Sequence, residues 1–308
     1  MALGDQAPRF GRVVTAMVTP FDDELRLDVD AAVELARWLA DHGSDGLVVC
    51  GTTGEAPVLD DAERAELLRA VAESVTIPVI AGTGTNDTRH SVALTRAAEQ
   101  AGADAVLVVT PYYNRPSQAG IFDHFAAVSA ATRLPVVLYD IPARTGRRVA
   151  AEVVLRLARE VPNVVALKDA AGDVAGSARL AAAAPAGFEL YSGDDAQTLP
   201  LLAVGAVGVI SVASHWAGRE LGEVIASFER GDVVGARRAN ARLIESFDFE
   251  STEEFPNPLP AKAACRVLGL RVGQCRAPLG PAPRLLDERA AEVLAALRPA
   301  PVAGASVA

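Results

Sequence analysis

The chain has 308 residues, of which 50% are apolar and 22% charged, and its formal net charge is −10. This composition is typical of a soluble globular protein with a sizeable core. The acidic balance argues against nucleic acid or an anionic membrane as a partner, because binding to phosphate groups requires a basic patch.

Eight short runs rich in β-branched residues alternate with longer segments of helical period. In chain order the predicted strands begin at Val13, Gly46, Pro78, Ala105, Pro135, Val164, Phe188 and Gly208. The clearest helical segments between them span residues 28–41, 60–75, 87–102 and 118–132. The strands are apolar almost throughout, as expected for strands buried on both faces of a parallel sheet.

Eight strand–helix units predict an α/β protein in which residues 1–231 form a (β/α)₈ TIM barrel, the catalytic domain. The alternative is a doubly wound open sheet, but no G-x-G-x-x-G motif follows the first strand. Residues 232–308 are predicted to form a C-terminal helical extension packed on the barrel, with its clearest helices at 257–270 and 287–297.

In such a barrel the active site lies at the C-terminal ends of the strands. Polar residues follow five of the predicted strands at this end: Thr52 and Thr53, Tyr112 and Tyr113, Tyr139, Lys168 and Asp169, and Asp194 and Asp195. We therefore expect these side chains to meet around one mouth of the barrel.

Lys168 is the strongest single indication of chemistry. Lys and Arg together number 29, yet only Lys168 and Lys262 are lysines. Lys168 ends an apolar run, where a cation is costly to bury, and Arg could not replace it as a nucleophile because a guanidinium stays protonated. A buried amine with a lowered pKa can attack a carbonyl. The alternative is a structural ion pair with Asp169 or with a glutamate across the barrel.

The tyrosines and one arginine fit the same site. A phenol such as that of Tyr139 can relay a proton if Thr52 or Thr53 supplies a second hydroxyl, although tyrosines also simply cap a barrel mouth. Arg144 follows the fifth strand and could clamp a carboxylate, or be a solvated loop cation. The Asp194-Asp195 pair is better interpreted as a helix cap than as a Mg²⁺ site.

The cysteine and histidine content predicts no metal centre. Three cysteines without a C-x-x-C pair argue against a disulfide framework or a zinc site, and the four histidines show no metal-ligand spacing. The N-terminal residues contain no apolar core of a signal peptide, and no run is long and apolar enough to span a membrane. These features lead us to expect a cytoplasmic location.

Seven motifs follow one another along nearly the whole chain. They are GTTGE at Gly51, PYYNRPSQ at Pro111, YDIPARTG at Tyr139, LKDAAGD at Leu167, SGDD at Ser192, GAVGVISV at Gly205 and PNPLPAKAA at Pro256. In type and order they resemble the dihydrodipicolinate synthase/N-acetylneuraminate lyase family. Within it, the paired threonines and Arg144 resemble the synthase branch, because the sialic acid lyases typically have Ser in the first motif and lack that Arg.

The resemblance implies a role for each matching residue. Lys168 matches the lysine that forms a Schiff base with pyruvate, and Tyr139 matches the proton donor and acceptor. Thr52 and Tyr113 match the remaining members of a proton relay, the equivalent of Tyr113 reaching in from a neighbouring subunit. The predicted substrate-binding residues are Thr53, Ile210, Gly193 and Arg144, of which Arg144 matches the residue that holds the carboxylate of the aldehyde.

The implied reaction condenses pyruvate with L-aspartate 4-semialdehyde to 4-hydroxy-tetrahydrodipicolinate, in lysine and diaminopimelate biosynthesis. The resemblance implies no cofactor, and it implies a homotetramer built as a dimer of dimers. The alternatives are a related pyruvate-dependent aldolase or lyase acting on a sugar acid or another keto acid, and a non-catalytic barrel.

Some positions depart from the family pattern. Many relatives have Asn where this chain has His215, to which the sequence assigns no role. At the lysine feedback site of relatives, Asn86 and Tyr112 match the usual residues, but Pro57, Asp61, Arg64 and His90 replace others. We therefore expect weak or absent inhibition by lysine.

Overall fold

The computed structural model describes residues 7–297 of the chain. All eight predicted strands form: β1 Val13–Ala16, β2 Gly46–Val49, β3 Val79–Gly82, β4 Ala105–Val109, β5 Val136–Asp140, β6 Val164–Asp169, β7 Glu189–Ser192 and β8 Gly208–Ser211. Each strand pairs in parallel with the next, and β8 pairs with β1, which closes the barrel. The predicted (β/α)₈ fold is confirmed, and the doubly wound alternative is excluded.

Helices separate the strands and form the outer layer. They are α1 Val29–Asp41, α2 Asp61–Ser74, α3 Thr88–Gln100, α4 Gln118–Ser129, α5 Pro142–Thr145, α6 Ala151–Glu160, α7 Val174–Ala183, α8 Thr198–Leu202 and α9 Ser214–Glu229. The first three begin after Asp28, Asp60 and Asp87, whose carboxylates accept backbone N–H groups of the first turn. The four predicted helical segments are therefore confirmed, with shorter ends.

The barrel has two apolar layers because successive strand residues point to opposite faces. Alternate residues, among them Val14, Ile80, Val137 and Ala166, fill the interior, and the residues between them pack against the helices. Lys168 lies two residues after Ala166 and so shares its inward face.

The predicted helical extension contains α10 Val233–Arg242, α11 Ile244–Phe249, α12 Leu259–Val267 and α13 Arg284–Leu297. The helix predicted at 257–270 is shorter than expected. It starts after Pro258, which has no N–H group, and ends before Gly269, which has a left-handed φ of 84°. α10 and α12 pack on α9, and α11 packs on a short 3₁₀ helix at Asp195–Gln197, after β7.

The extension thus reaches the mouth of the barrel as well as its side. The division of the chain at residues 231 and 232 stays a prediction. Within residues 7–297, no helix combines the length and the apolar character needed to cross a bilayer.

Candidate active site

A cavity of about 220 Å³ opens at the C-terminal end of the barrel. Its lining includes Thr52, Tyr112, Tyr139, Arg144 and Thr145. These residues come from the loops after β2, β4 and β5, which the barrel gathers at one end. The predicted meeting of polar side chains at this mouth is confirmed for these strands.

Lys168 lies at the end of β6, paired in register with Tyr139 of β5. It is only 5% exposed, and its Nζ lies 4.4 Å from the centre of the Tyr139 ring. Asp169 points away from it and accepts hydrogen bonds from the Ala171 N–H and the Ser177 hydroxyl. In the described part of the chain Lys168 forms no salt bridge, so the ion-pair interpretation is wrong.

Burial lowers the pKa of Lys168 to about 8. The charges of Asp195 and Glu250 raise this pKa again, and that of Arg144 lowers it further. About a tenth of the amine is then neutral at pH 7, far more than for a lysine in water. The structure therefore supplies what nucleophilic attack on a carbonyl requires: an amine that is desolvated, unpaired and partly deprotonated.

Gly193 leaves room for the Lys168 side chain. A Cβ atom at this position would lie 2.9 Å from Lys168 Cγ, closer than real contacts allow, and 3.1 Å from Lys168 Cε, which is a tight contact. Gly193 therefore contacts the lysine stem directly. Ile210 projects inward from β8 and is 1% exposed, in the same inner layer as Tyr139.

Tyr139 is a buried phenol, 5% exposed. Burial raises its pKa above the usual value, while the charge of Arg144 and the side chain of Thr52 lower it. The phenol therefore stays protonated at neutral pH. Thr52 and Tyr139 line the same cavity, so two hydroxyl groups capable of passing a proton meet there, and the Tyr139 ring also contacts the Lys168 amine.

Asn257, in the loop before α12, joins two predicted site residues. Its Nδ2 donates to Thr53 Oγ1 at 2.9 Å, and its carbonyl oxygen accepts from the Arg144 guanidinium at 3.5 Å. Its Oδ1 atom is buried without a partner among the described residues. Arg144 is exposed beside the cavity, so its guanidinium is free to bind a carboxylate.

The sequence assigns no role to Asn257, although this residue lies in the PNPLPAKAA motif. The signal that could have indicated one is a polar amide between two prolines. Its closeness to Thr53 became visible only when the extension was placed against the barrel.

Tyr113 lies apart from the other site residues of its own chain. It has a left-handed φ of 70°, is 89% exposed, and is not among the residues that line the cavity. Its backbone N–H donates to Thr145 O at 3.3 Å, which holds the loop while the ring points outward. The hydroxyl of Tyr113 therefore lies outside the site of its own chain, and its part in a relay stays a prediction.

Three carboxyl groups lie near one another at this end of the barrel, and the charges of two of them, Asp195 and Glu250, act on Lys168. Asp194 caps the 3₁₀ helix by accepting from the Ala196 N–H, which confirms the predicted cap. Asp195 accepts from the Val212 N–H at 2.7 Å and so ties β7 to the loop after β8. The carboxyl of Glu250, from the extension, is buried, and burial followed by the charge of Asp195 raises its pKa well above the usual value.

His215 is a structural link between two loops. Its Nε2 accepts from the Val18 N–H at 3.1 Å, and its Nδ1 lies 2.8 Å from Val212 O, which can only accept. The ring is therefore neutral with its proton on Nδ1, and burial lowers its pKa to about 4. Across residues 7–297 no cluster of three His, Cys, Asp or Glu side chains is arranged to hold a metal ion.

The chain resembles known proteins over most of its length. The model of the dihydrodipicolinate synthetase family matches residues 9–297. The 4-hydroxy-tetrahydrodipicolinate synthase of Moorella thermoacetica is 48% identical over 93% of this chain and 98% of its own. That of Acidothermus cellulolyticus is 51% identical over 88% of this chain and 87% of its own.

Solved structures agree with the sequence relatives. A dihydrodipicolinate synthase from Bacillus anthracis superposes with a TM-score of 0.90 at 42% identity, covering 94% of this chain and 98% of its own. The synthase from Cyanidioschyzon merolae, solved with lysine bound, gives 0.90 at 43% identity with the same coverage. With the family model and these relatives matching nearly end to end, the chain belongs to the dihydrodipicolinate synthetase family.

Proposed function

We propose that this protein is a lyase that condenses pyruvate with L-aspartate 4-semialdehyde to 4-hydroxy-tetrahydrodipicolinate, in lysine and diaminopimelate biosynthesis. The observation that carries the proposal is the state of Lys168, an unpaired buried amine whose pKa is lowered to about 8. Family membership and the names of the relatives support the choice of substrates. The chemistry uses side chains alone and no cofactor.

The first stage forms a Schiff base. Neutral Nζ of Lys168 attacks the keto carbon of pyruvate, and loss of water leaves an imine. Once protonated, the imine withdraws electrons from the neighbouring methyl group, so a methyl proton can leave and an enamine forms. Thr53 and Ile210 contact pyruvate in this assignment, and Gly193 leaves space for the lysine stem.

The second stage needs a proton relay. Tyr139 gives and takes protons, and Thr52 passes them on. The burial that keeps the Tyr139 phenol protonated also keeps water away from the imine. The enamine carbon then attacks the aldehyde, and the amino group of the aldehyde substrate attacks the imine carbon, closing the ring and releasing Lys168.

Arg144 binds the carboxylate of the aldehyde substrate. Its exposed position beside the cavity, anchored to the Asn257 carbonyl, suits a group that captures an anion from solvent. A short aldehyde with a carboxylate needs such a cation, whereas a polyhydroxylated sugar acid needs several neutral donors. This difference favours the synthase over a sugar-acid lyase.

We further propose a homotetramer, a dimer of dimers, in which Tyr113 completes the relay of a neighbouring subunit. An aromatic side chain that is 89% exposed and held in a left-handed conformation supports this role. Mixing inactive Tyr113→Phe with inactive Lys168→Met should restore activity in hybrid oligomers. Failure to restore activity in verified hybrids would contradict the shared site.

The three unpaired buried cysteines fit a reducing, cytoplasmic location.

Borohydride trapping tests the central step. Pyruvate plus borohydride should inactivate the enzyme and leave an N-(1-carboxyethyl) group on Lys168 alone, as read by peptide mapping. Lys262, the only other lysine, is a matched internal control because it is also buried. An adduct on Lys262, or on neither lysine, would contradict the mechanism. A separate assay with a panel of aldehydes, followed by product analysis, identifies the second substrate.

A further inference from the structure

The segment from Cys50 to Glu55 carries Thr52 and Thr53 in an unusual backbone conformation. Its first and last residues, Cys50 and Glu55, have left-handed φ values of 57° and 54°. This region is unfavourable for residues with a side chain, and it persists only where surrounding contacts hold it. Two conformationally strained residues therefore flank the predicted threonine hydroxyls.

Residues of the barrel and of the extension both hold this segment: Thr19 Oγ1 of the barrel donates to Gly54 O at 2.6 Å, and the extension binds the Glu55 side chain. Glu55 Oε1 lies 2.7 Å from Lys262 Nζ of α12, and Glu55 Oε2 accepts from the Arg276 N–H at 2.9 Å. The side chains of Glu55 and Lys262 are 0% and 1% exposed. Oε1 is thus paired by charge with Lys262, and Oε2 is hydrogen-bonded to the Arg276 N–H; both residues follow the barrel in sequence.

Lys262 is itself held in place from other sides. Its Nζ donates to Gln274 O at 2.8 Å and lies 4.2 Å from the centre of the Phe21 ring. The ammonium group therefore has little freedom to follow Glu55 if the segment moves. Asn257 adds a second attachment, because its side chain donates to Thr53 Oγ1.

We propose that the Lys262–Glu55 pair positions the Thr52–Thr53 segment for catalysis. Through Lys262, the extension would then set the orientation of active-site residues. A buried ion pair seldom adds net stability over apolar residues of the same shape, but it fixes direction and distance. Lys262 and Glu55 are positioning residues here, since neither one touches the substrate.

This proposal rests on one part of the proposed function, the reaction of Lys168 with pyruvate. The test therefore uses pyruvate alone and no aldehyde. The readout is exchange of the pyruvate methyl hydrogens in deuterium oxide, which requires Lys168 and the relay but no second substrate. A wrong aldehyde in the proposed function would leave this test intact.

The first variant is the double substitution Glu55→Gln/Lys262→Met. It removes both charges at nearly constant volume, and the amide still accepts from the Arg276 N–H, so the fold should persist. The second variant, Glu55→Asp, keeps the charge and suits a left-handed backbone, but its shorter side chain can reach Lys262 only if the segment shifts. We expect the exchange rate to fall at least tenfold in both, with the melting temperature close to wild type in Glu55→Asp.

A matched control breaks another ion pair of the same helix. Asp287→Asn disrupts the contact of Asp287 with Arg266, one turn after Lys262 in α12, and should lower the melting temperature without changing exchange per folded molecule. Borohydride trapping of Lys168 should still succeed in every variant. Exchange within twofold of wild type in folded Glu55→Asp would overturn the proposal, as would an equal loss in Asp287→Asn.

Discussion

The two lysines of this chain are buried to nearly the same degree, 5% for Lys168 and 1% for Lys262, and each lies against an aromatic ring. They differ in pairing: Glu55 Oε1 lies 2.7 Å from Lys262 Nζ, whereas Lys168 forms no salt bridge among the described residues. Burial lowers the pKa of both ammonium groups, and at Lys262 the charge of the adjacent Glu55 carboxylate opposes this shift. The mouth of the barrel thus holds an amine with no salt-bridge partner, whereas the contact with the extension holds a paired one.

Replacing each lysine by methionine is the most direct test of this difference between them. Lys168→Met should lower kcat by on the order of 10⁴ or more, because no other amine can form the imine. It should leave the melting temperature unchanged or higher, since an unpaired buried charge is removed. Thermal unfolding and steady-state rates measure both effects.

Lys262→Met should lower the melting temperature, in contrast to Lys168→Met. Leaving Glu55 buried without its partner costs about 3–5 kcal/mol of folding free energy. Equal melting temperatures for the two variants would show that the ion pair of Lys262 does not affect the free energy of unfolding.

Tyr139→Phe tests the group that Lys168 faces. Loss of the phenolic hydroxyl should reduce turnover by roughly 10² to 10⁴, the usual range for an acid–base group, with less effect on pyruvate binding. Steady-state kinetics with borohydride trapping separates the two. An unchanged rate would make Tyr139 a packing residue.

Arg144 contacts both the mouth of the barrel and the extension, because it lines the cavity and donates to the carbonyl oxygen of Asn257. Arg144→Ala should raise the KM for the aldehyde by roughly 10- to 100-fold, the value of a lost charge-assisted hydrogen bond, and leave the KM for pyruvate nearly unchanged. If both KM values rise equally, Arg144 holds the loop instead of the substrate.

The pH dependence of kcat/KM tests the protonation state of Lys168, the unpaired lysine. Its folded-state pKa is lowered to about 8, so the reactive neutral form increases with pH up to that value. Below pH 8 we expect kcat/KM for pyruvate to fall up to tenfold per pH unit. A profile that is flat from pH 6 to 8 would indicate that Lys168 deprotonation does not limit the reaction.

The smallest expected effect concerns free lysine. Asp61 already pairs with His90, whose Nε2 lies 2.9 Å away, and Arg64 donates to the carbonyl of Ala56. A lysine ammonium would have to displace His90 and would be repelled by Arg64. Initial rates with millimolar lysine should therefore change little, and strong sub-millimolar inhibition would contradict this prediction.

The sequence by itself determined the barrel and most of its mouth. Strands and helices follow from local periodicity, and the C-terminal ends of parallel strands must meet at one end, so Lys168, Tyr139 and Thr52 could be placed together before any coordinates. The lone lysine in an apolar run was visible for the same reason, since burial of a strand can be inferred from its own residues.

The tertiary structure decided what each buried charge contacts. Glu55 and Lys262 are more than 200 residues apart in sequence, as are Thr53 and Asn257. No local pattern relates such positions, because their contact depends on how the extension packs on the finished barrel. Whether Lys168 is a paired cation or a free amine depends on distances of a few ångströms, and only the packed structure sets those distances.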